Sequence, residues 1–167
     1  MVRLSKLSDY AVVVLMRLEA TRPGGVQTAP GIAHATGLAE PTVAKVLKQL
    51  AQSNLVASTR GARGGYALAR PLTQVSIADV IAAVEGPVAI AACVDGATDV
   101  CDCECSCQVR GRWDMVNNAI RQALAAITLA DMIKGALPPA LHTPAPAAAL
   151  AAQAAHPISA VAAGAAE

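Results

Sequence analysis

Hydrophobic residues fall at helical spacing through most of this chain. Leu4, Leu7, Ala11, Val14, Leu15 and Leu18 form one stripe, which predicts a first helix running to about Ala20, capped by Ser5 or Ser8. Thr28 can cap a short second helix through Thr36, with Pro30 in its first turn and Gly37 ending it. A third helix opens at Glu40-Pro41-Thr42 and runs to about Ser53. Its apolar face is Val43, Val46, Leu47 and Leu50, and its polar face is Glu40, Thr42, Lys45, Lys48 and Gln49. Two short apolar stretches, 55–59 and 66–70, then flank the Gly-rich turn Arg60-Gly-Ala-Arg-Gly-Gly65, a hairpin signal. Ser76 caps a further helix that stops at Gly86-Pro87. Downstream, Trp113, Val116, Ile120, Leu124 and Ile127 predict one amphipathic helix of about 20 residues. The fold class expected is mainly α with a small β-hairpin.

Helix, short helix, tight turn, helix and hairpin is the order of a winged helix-turn-helix. In that arrangement the third helix lies in the major groove of DNA, and a basic hairpin tip reaches phosphates or the minor groove. Charge supports this reading. The overall formal charge of +1 is a cancellation, because residues 1–80 hold nine Lys/Arg against four acids, whereas residues 81–134 hold four against seven. The candidate DNA contacts are Thr28, Pro41, Thr42, Lys45, Lys48, Arg60, Arg63, Gly64 and Gly65. The partner expected is operator double-stranded DNA, bound by a homodimer that buries the downstream stripe.

Composition alters the picture at two places. Hydrophobic residues are 54% of the chain but aromatics only 2% (Tyr10, Tyr66 and Trp113), so aliphatic side chains and alanine must form the core. Residues 135–167 hold 15 alanines and five prolines, with Glu167 the single charge, and read as a disordered tail. No apolar run approaches the roughly 20 residues of a membrane span, and the N-terminus has no cleavable apolar segment. The expectation is a cytoplasmic protein with no membrane partner and no small-molecule substrate. No phosphate loop, Ser/His/Asp set or paired-carboxylate site points to an enzyme.

All five cysteines lie within 15 residues: Cys93, Cys101, Cys103, Cys105 and Cys107. No Cys-x-x-Cys pair, a common feature of structural zinc sites, occurs. Free thiols, zinc, a reversible disulfide and an iron–sulfur cluster all remain open on spacing alone.

Leu4-Ser-Lys-Leu-Ser-Asp-Tyr10, Gly37-Leu-Ala-Glu-Pro-Thr-Val-Ala-Lys-Val-Leu-Lys-Gln-Leu50 and the wing Leu55 to Tyr66, together with the downstream cysteine loop, resemble the Rrf-type family of bacterial regulators. That family includes the Isc and Suf iron–sulfur assembly regulators and the nitrite-sensitive repressor. The resemblance covers roughly residues 1–133 and is strongest to the Suf branch. It implies a DNA-binding dimer that carries an iron–sulfur cluster (2Fe-2S or 4Fe-4S) on three cysteines and controls transcription, with cluster-assembly genes as the target. Cys93, Cys101 and Cys107 match the three ligand positions. Cys101 and Cys107 keep the family's five intervening residues, whereas Cys93 and Cys101 are separated by seven. Some members place a histidine three residues after the last cysteine; that position is Arg110 here. The nitric-oxide-sensing branch uses an aspartate at the start of the first helix, contributed by the other subunit. Asp9 matches it, with Cys103 and Cys105 as alternates.

On this reading residues 1–86 are the DNA-binding domain, 87–109 the cluster loop, 110–134 the dimerisation helix and 135–167 the tail. The alternative is a zinc- or thiol-redox-responsive protein, or a DNA-binding regulator without a cluster.

Overall fold

The structure, a computed structural model, describes residues 4–22, 25–97, 107–109, 111–135, 137–138 and 141. Cys101, Cys103, Cys105 and Arg110 and nearly all of the tail lie outside the described residues.

The elements are α1 (Lys6–Ala20), α2 (Ala29–Thr36), α3 (Glu40–Gln52), β1 (Val56–Thr59), β2 (Gly65–Leu68), α4 (Ile77–Glu85), α5 (Trp113–Ala126) and α6 (Leu129–Lys134), with a 3-10 turn over Leu72–Gln74. Local chemistry sets most boundaries. Ser5 caps α1 by accepting from the Ser8 amide, Thr28 caps α2 through the Gly31 amide, and Gly37 ends α2 in the left-handed conformation. The two strands pair antiparallel, Val56 opposite Leu68 and Thr59 opposite Gly65.

The core lies where α1, α2, α3 and α4 meet the base of the hairpin. Val14, Leu15, Ile32, Val43, Val46, Leu47, Leu50 and Val75 are fully buried. No phenylalanine or tryptophan takes part, as the composition requires.

One element departs from the expected pattern. The single helix of about 20 residues predicted downstream of the cysteines is two helices. α5 ends at Ala126, Ile127 is extended, and Thr128 starts α6 with a reciprocal cap: its hydroxyl accepts from the Asp131 amide while the Asp131 carboxylate accepts from the Thr128 amide. The break turns the chain back onto the head. Ile77 N–H donates to Ile127 O at 2.9 Å and Leu129 N–H donates to Val75 O at 2.9 Å, which sets Ser76 beside Thr128. Leu129 is fully buried in the core. The two adjacent caps thus tie the start of α6 to the start of α4. The stripe on α5 is divided as well. Ile120 and Leu124 are half-buried against the segment after α4, whereas Trp113 and Val116 are 44% and 40% exposed.

Candidate nucleic-acid interface and cysteine loop

α3 is held by its inner face and presents its outer one. Its four apolar residues are completely buried, while Glu40, Pro41, Lys45 and Lys48 are exposed and Thr42 is half-buried. Pro41 lies in the first turn, where its missing N–H costs nothing, and Ala39 at the cap offers no side-chain hydrogen bond. The first amides of α3 are therefore not covered by a side-chain cap. Thr28 is exposed and its hydroxyl serves the α2 cap at 3.2 Å.

The wing geometry explains its glycines. Gly61 has φ +108°, a conformation other residues adopt with strain. Gly64 donates to Gly61 O at 2.9 Å, and a Cβ on Gly64 would stand 2.3 Å from Thr59 O. A Cβ on Gly65 would stand 2.7 Å from Gln27 O. That last approach exists because Gln27 and Tyr66 exchange both backbone hydrogen bonds at 2.8 Å, which fastens the hairpin to the segment between α1 and α2. Arg60 and Arg63 stand exposed on the tip. Among the described residues Lys45, Lys48, Arg60 and Arg63 form no ion pair, whereas Arg70 is engaged by Asp79 at 3.0 Å. Gly64→Ala is accordingly expected to distort the tip without unfolding the head: DNA affinity should drop while the thermal midpoint moves little. An affinity equal to that of the parent chain would show that the tip geometry is immaterial.

The cysteine loop leaves from the end of α4. Glu85, the last residue of that helix, accepts from the Ser5 amide at 2.9 Å and from the Ser8 hydroxyl, so its carboxylate clamps the start of α1 to the end of α4. Partial burial pushes the Glu85 carboxyl up, but the Ser8 hydroxyl and the Ser5 amide outweigh it and hold it below its ordinary value of 4.5. A carboxylate held down in this way stabilises the fold above its unfolded pKa, and the contribution is lost as pH falls through the folded one. Glu85 is largely solvent-exposed, so the effect is small. Melting midpoints measured from pH 7 downward should fall more steeply below pH 4.5 for the parent chain than for Glu85→Gln, and parallel curves would refute the clamp.

Beyond Gly86 the loop packs on α5, where the buried Asn117 side chain accepts from the Ile90 amide at 3.2 Å. Cys93 and Cys107 are free thiols, each half-buried, near the two ends of the cysteine segment. Asp9 is exposed in the first turn of α1, one residue beyond the clamped Ser8. Among the described residues no three His, Cys, Asp or Glu side chains converge to hold a metal, so Asp9, Cys93 and Cys107 of one chain do not form a site by themselves. His34 is exposed on α2. Sequence reasoning missed Glu85, Gln27 and Asn117, which all act through partners far along the chain.

A family model described as Rrf2, iron-dependent transcriptional regulator, matches residues 4–135. This chain belongs to the Rrf2 family. An HTH-type transcriptional regulator of Mycobacterium tuberculosis is 35% identical to this Rrf2 protein over 136 residues, covering 81% of this chain and 84% of that one. The HTH-type transcriptional regulator NsrR of Bacillus subtilis is 29% identical over 135 residues, covering 79% and 90%. Among solved structures, CymR, the global cysteine regulator of B. subtilis, superposes with a TM-score of 0.61 at 25% identity, over 79% of this chain and 96% of that one. IscR of T. potens superposes with a TM-score of 0.58 at 29% identity, over 80% and 88%.

The Rrf2 chain is thus a transcriptional regulator of the winged-helix, DNA-binding type, and its relatives are regulators, not enzymes. No helix among its described residues is long and apolar enough to cross a membrane.

Proposed function

We propose that this Rrf2 protein is an iron–sulfur-cluster-sensing repressor that binds operator DNA as a homodimer, with cluster-assembly genes of the Suf type as its targets. The observation that carries the reading is the position of the cysteine loop, whose first end is clamped to the DNA head by Glu85 and whose second end runs into α5. A change in that loop has a direct mechanical path to the angle between the head and α5.

The donor set fits such a cluster. Thiolates are its normal ligands, and Cys93 and Cys107 are free and half-buried. Cys93, Cys101 and Cys107 would hold it, with Asp9 of the partner subunit, Cys103 or Cys105 completing the set. When bound, the group supplies reactivity toward oxidants and nitric oxide. The chain's own residues do the rest. Glu85 keeps Ser5, Ser8 and hence Asp9 in place at the start of α1. Trp113 and Val116 offer an apolar face that a second α5 would bury. Lys45 and Lys48 on α3 and Arg60 and Arg63 on the wing take phosphates and base edges, with Thr28, Pro41 and Thr42 lining the approach and Gly64 and Gly65 keeping the tip thin. Loop rearrangement then shifts the population between a DNA-competent and an incompetent pair of heads.

Purification without oxygen, followed by absorption, iron and sulfide analysis, tests the sensing half. A brown protein with both elements is expected. A colourless protein carrying stoichiometric zinc would replace this reading with the zinc or thiol-redox one. The DNA half is tested by Lys45→Ala and Arg63→Ala. Each lost phosphate contact should lower the slope of log affinity against log salt by about 0.9, and a lost base contact should cost about 1–3 kcal/mol. Unchanged affinity and slope in both variants would remove α3 and the wing from the interface.

A further inference from the structure

α3 touches the root of the cysteine loop through one side chain. The sequence pattern sets Gln49 on the outer, polar face of α3 beside Lys45 and Lys48. The structure turns it inward. Lys45 and Lys48 are exposed, whereas Gln49 is half-buried and its Nε2 donates to Val84 O of α4 at 3.2 Å, across 35 positions of sequence. Val84 O is a carbonyl that α4 itself leaves unpaired. Its intrahelical partner would be the Val88 amide, but the helix ends at Glu85, Gly86 takes φ +92° and ψ −173°, and Pro87 carries no N–H. Among the described residues no backbone N–H outside α4 donates to it. The Gln49 amide supplies the missing donor.

The next residue is held from the other side. Glu85 is clamped to Ser5 and Ser8 at the start of α1, so consecutive residues at the end of α4 are gripped by α3 and by α1 just before the loop begins. Further along, the Ile90 amide is bound by the buried Asn117 of α5. Residues 86–90 are thus a short strap between α5 and a joint shared by α1 and α3. A shift of the strap pulls on Val84 O, and Gln49 stands next to Lys48 and one turn after Lys45. The Gln49 amide is also only half used. Its Oε1 is buried without a hydrogen-bond partner among the described residues, which leaves an acceptor open beside the loop root for an N–H that a moved strap would bring.

We infer, resting on the reading of that loop as the sensing element, that Gln49 is the positioning residue that carries the state of the cysteine loop to α3. Displacement of Gly86 and Pro87 moves the last turn of α4, Gln49 follows Val84 O, and α3 tilts with Lys45 and Lys48 on it. The link is one hydrogen bond at the edge of the core, so it can be cut without dismantling the head. Gln49→Leu fills the same half-buried space and removes the idle acceptor together with the donor, which should leave the melting midpoint nearly unchanged. Gln49→Lys keeps an N–H donor for Val84 O, at a helix C-terminus where a cation is favoured.

Hydrogen exchange, read by mass spectrometry on the metal-free full chain, tests the link without iron or DNA. N-ethylmaleimide adds to Cys93, a free thiol three residues beyond Ile90, and so displaces the strap; the adduct is confirmed in the same spectra. In the alkylated parent chain, exchange should become several-fold faster in the last turn of α4 and in α3 alike. In Gln49→Leu only the end of α4 should respond, and Gln49→Lys should restore the response of α3. An α3 that does not respond in the alkylated parent chain would overturn the inference, as would an α3 that still responds in Gln49→Leu. A Gln49→Leu chain that melts several degrees lower and exchanges faster in α3 before any alkylation would reduce Gln49 to a helix cap, and would overturn it too. No cluster takes part in these measurements, so their failure is distinct from that of the sensing reading, which iron and sulfide analysis decides.

Discussion

Replacing Cys107 by alanine is expected to strip the anaerobically purified protein of iron and sulfide while leaving its fold intact. The thiol is half-buried and free, lies outside the core, and precedes the first turn of α5. Its removal leaves no large cavity, so the thermal midpoint of the metal-free protein should not move. A cluster with one thiolate fewer has lost a charge-bearing, covalent-strength ligand that no nearby described side chain replaces. Cys93→Ala should behave the same way. Cys103→Ala and Cys105→Ala, measured in parallel, should retain the metal if they are additional thiols and lose it if one of them is a ligand. Full iron and sulfide in Cys107→Ala would remove that residue from the ligand set and leave the proposed sensing mechanism without its second anchor.

Leu129→Ala should produce the largest loss of stability, about 2–5 kcal/mol as for other fully buried leucines. Leu129 is the first residue of α6, completely inaccessible, with its amide bonded to Val75 O. Truncation opens a cavity at the seam joining α6 to the start of α4 and the 3-10 turn. Against a typical total of about 5–15 kcal/mol, that is a large share. At about 4 °C per kcal/mol for a domain of this size, the melting midpoint should fall by roughly 10 °C or more. Met132→Ala, on the exposed side of the same helix, should cost far less. Equal losses from the two substitutions would contradict the packing of α6 on the head.

The head was legible in the sequence element by element. The stripes of α1 and α3, the Thr28 and Ser76 caps, the Gly37 stop and the Gly-rich turn all appear where their local patterns place them, within a residue or two. The downstream helix was not. Its apolar spacing continues through Ile127, and periodicity alone reads straight across the Thr128-Leu-Ala-Asp131 cap. That cap is a local signal, but it wins only because Leu129 has a core to enter, and the core is built from residues fifty and more positions earlier. The site shows the same division. Lys45, Lys48, Arg60 and Arg63 were visible as a basic set on a polar helix face and a glycine-rich tip, and only the structure shows that they form no ion pair among the described residues. The Glu85 clamp was not, because Glu85 looks like any surface acid at the end of a helix until α1 is laid beside it.

The amino-acid order by itself determined the elements of the head, its basic charge, the gathering of the thiols and the family, since each rests on neighbours within a few residues along the chain. Only the tertiary structure decided that α6 folds back, that Glu85 joins the cysteine loop to the start of α1, and that Gly65 must yield space to Gln27. The physical reason is common to all three. Each depends on burial or hydrogen bonding between segments about 40 to 80 residues apart, which closes only when the whole core has assembled.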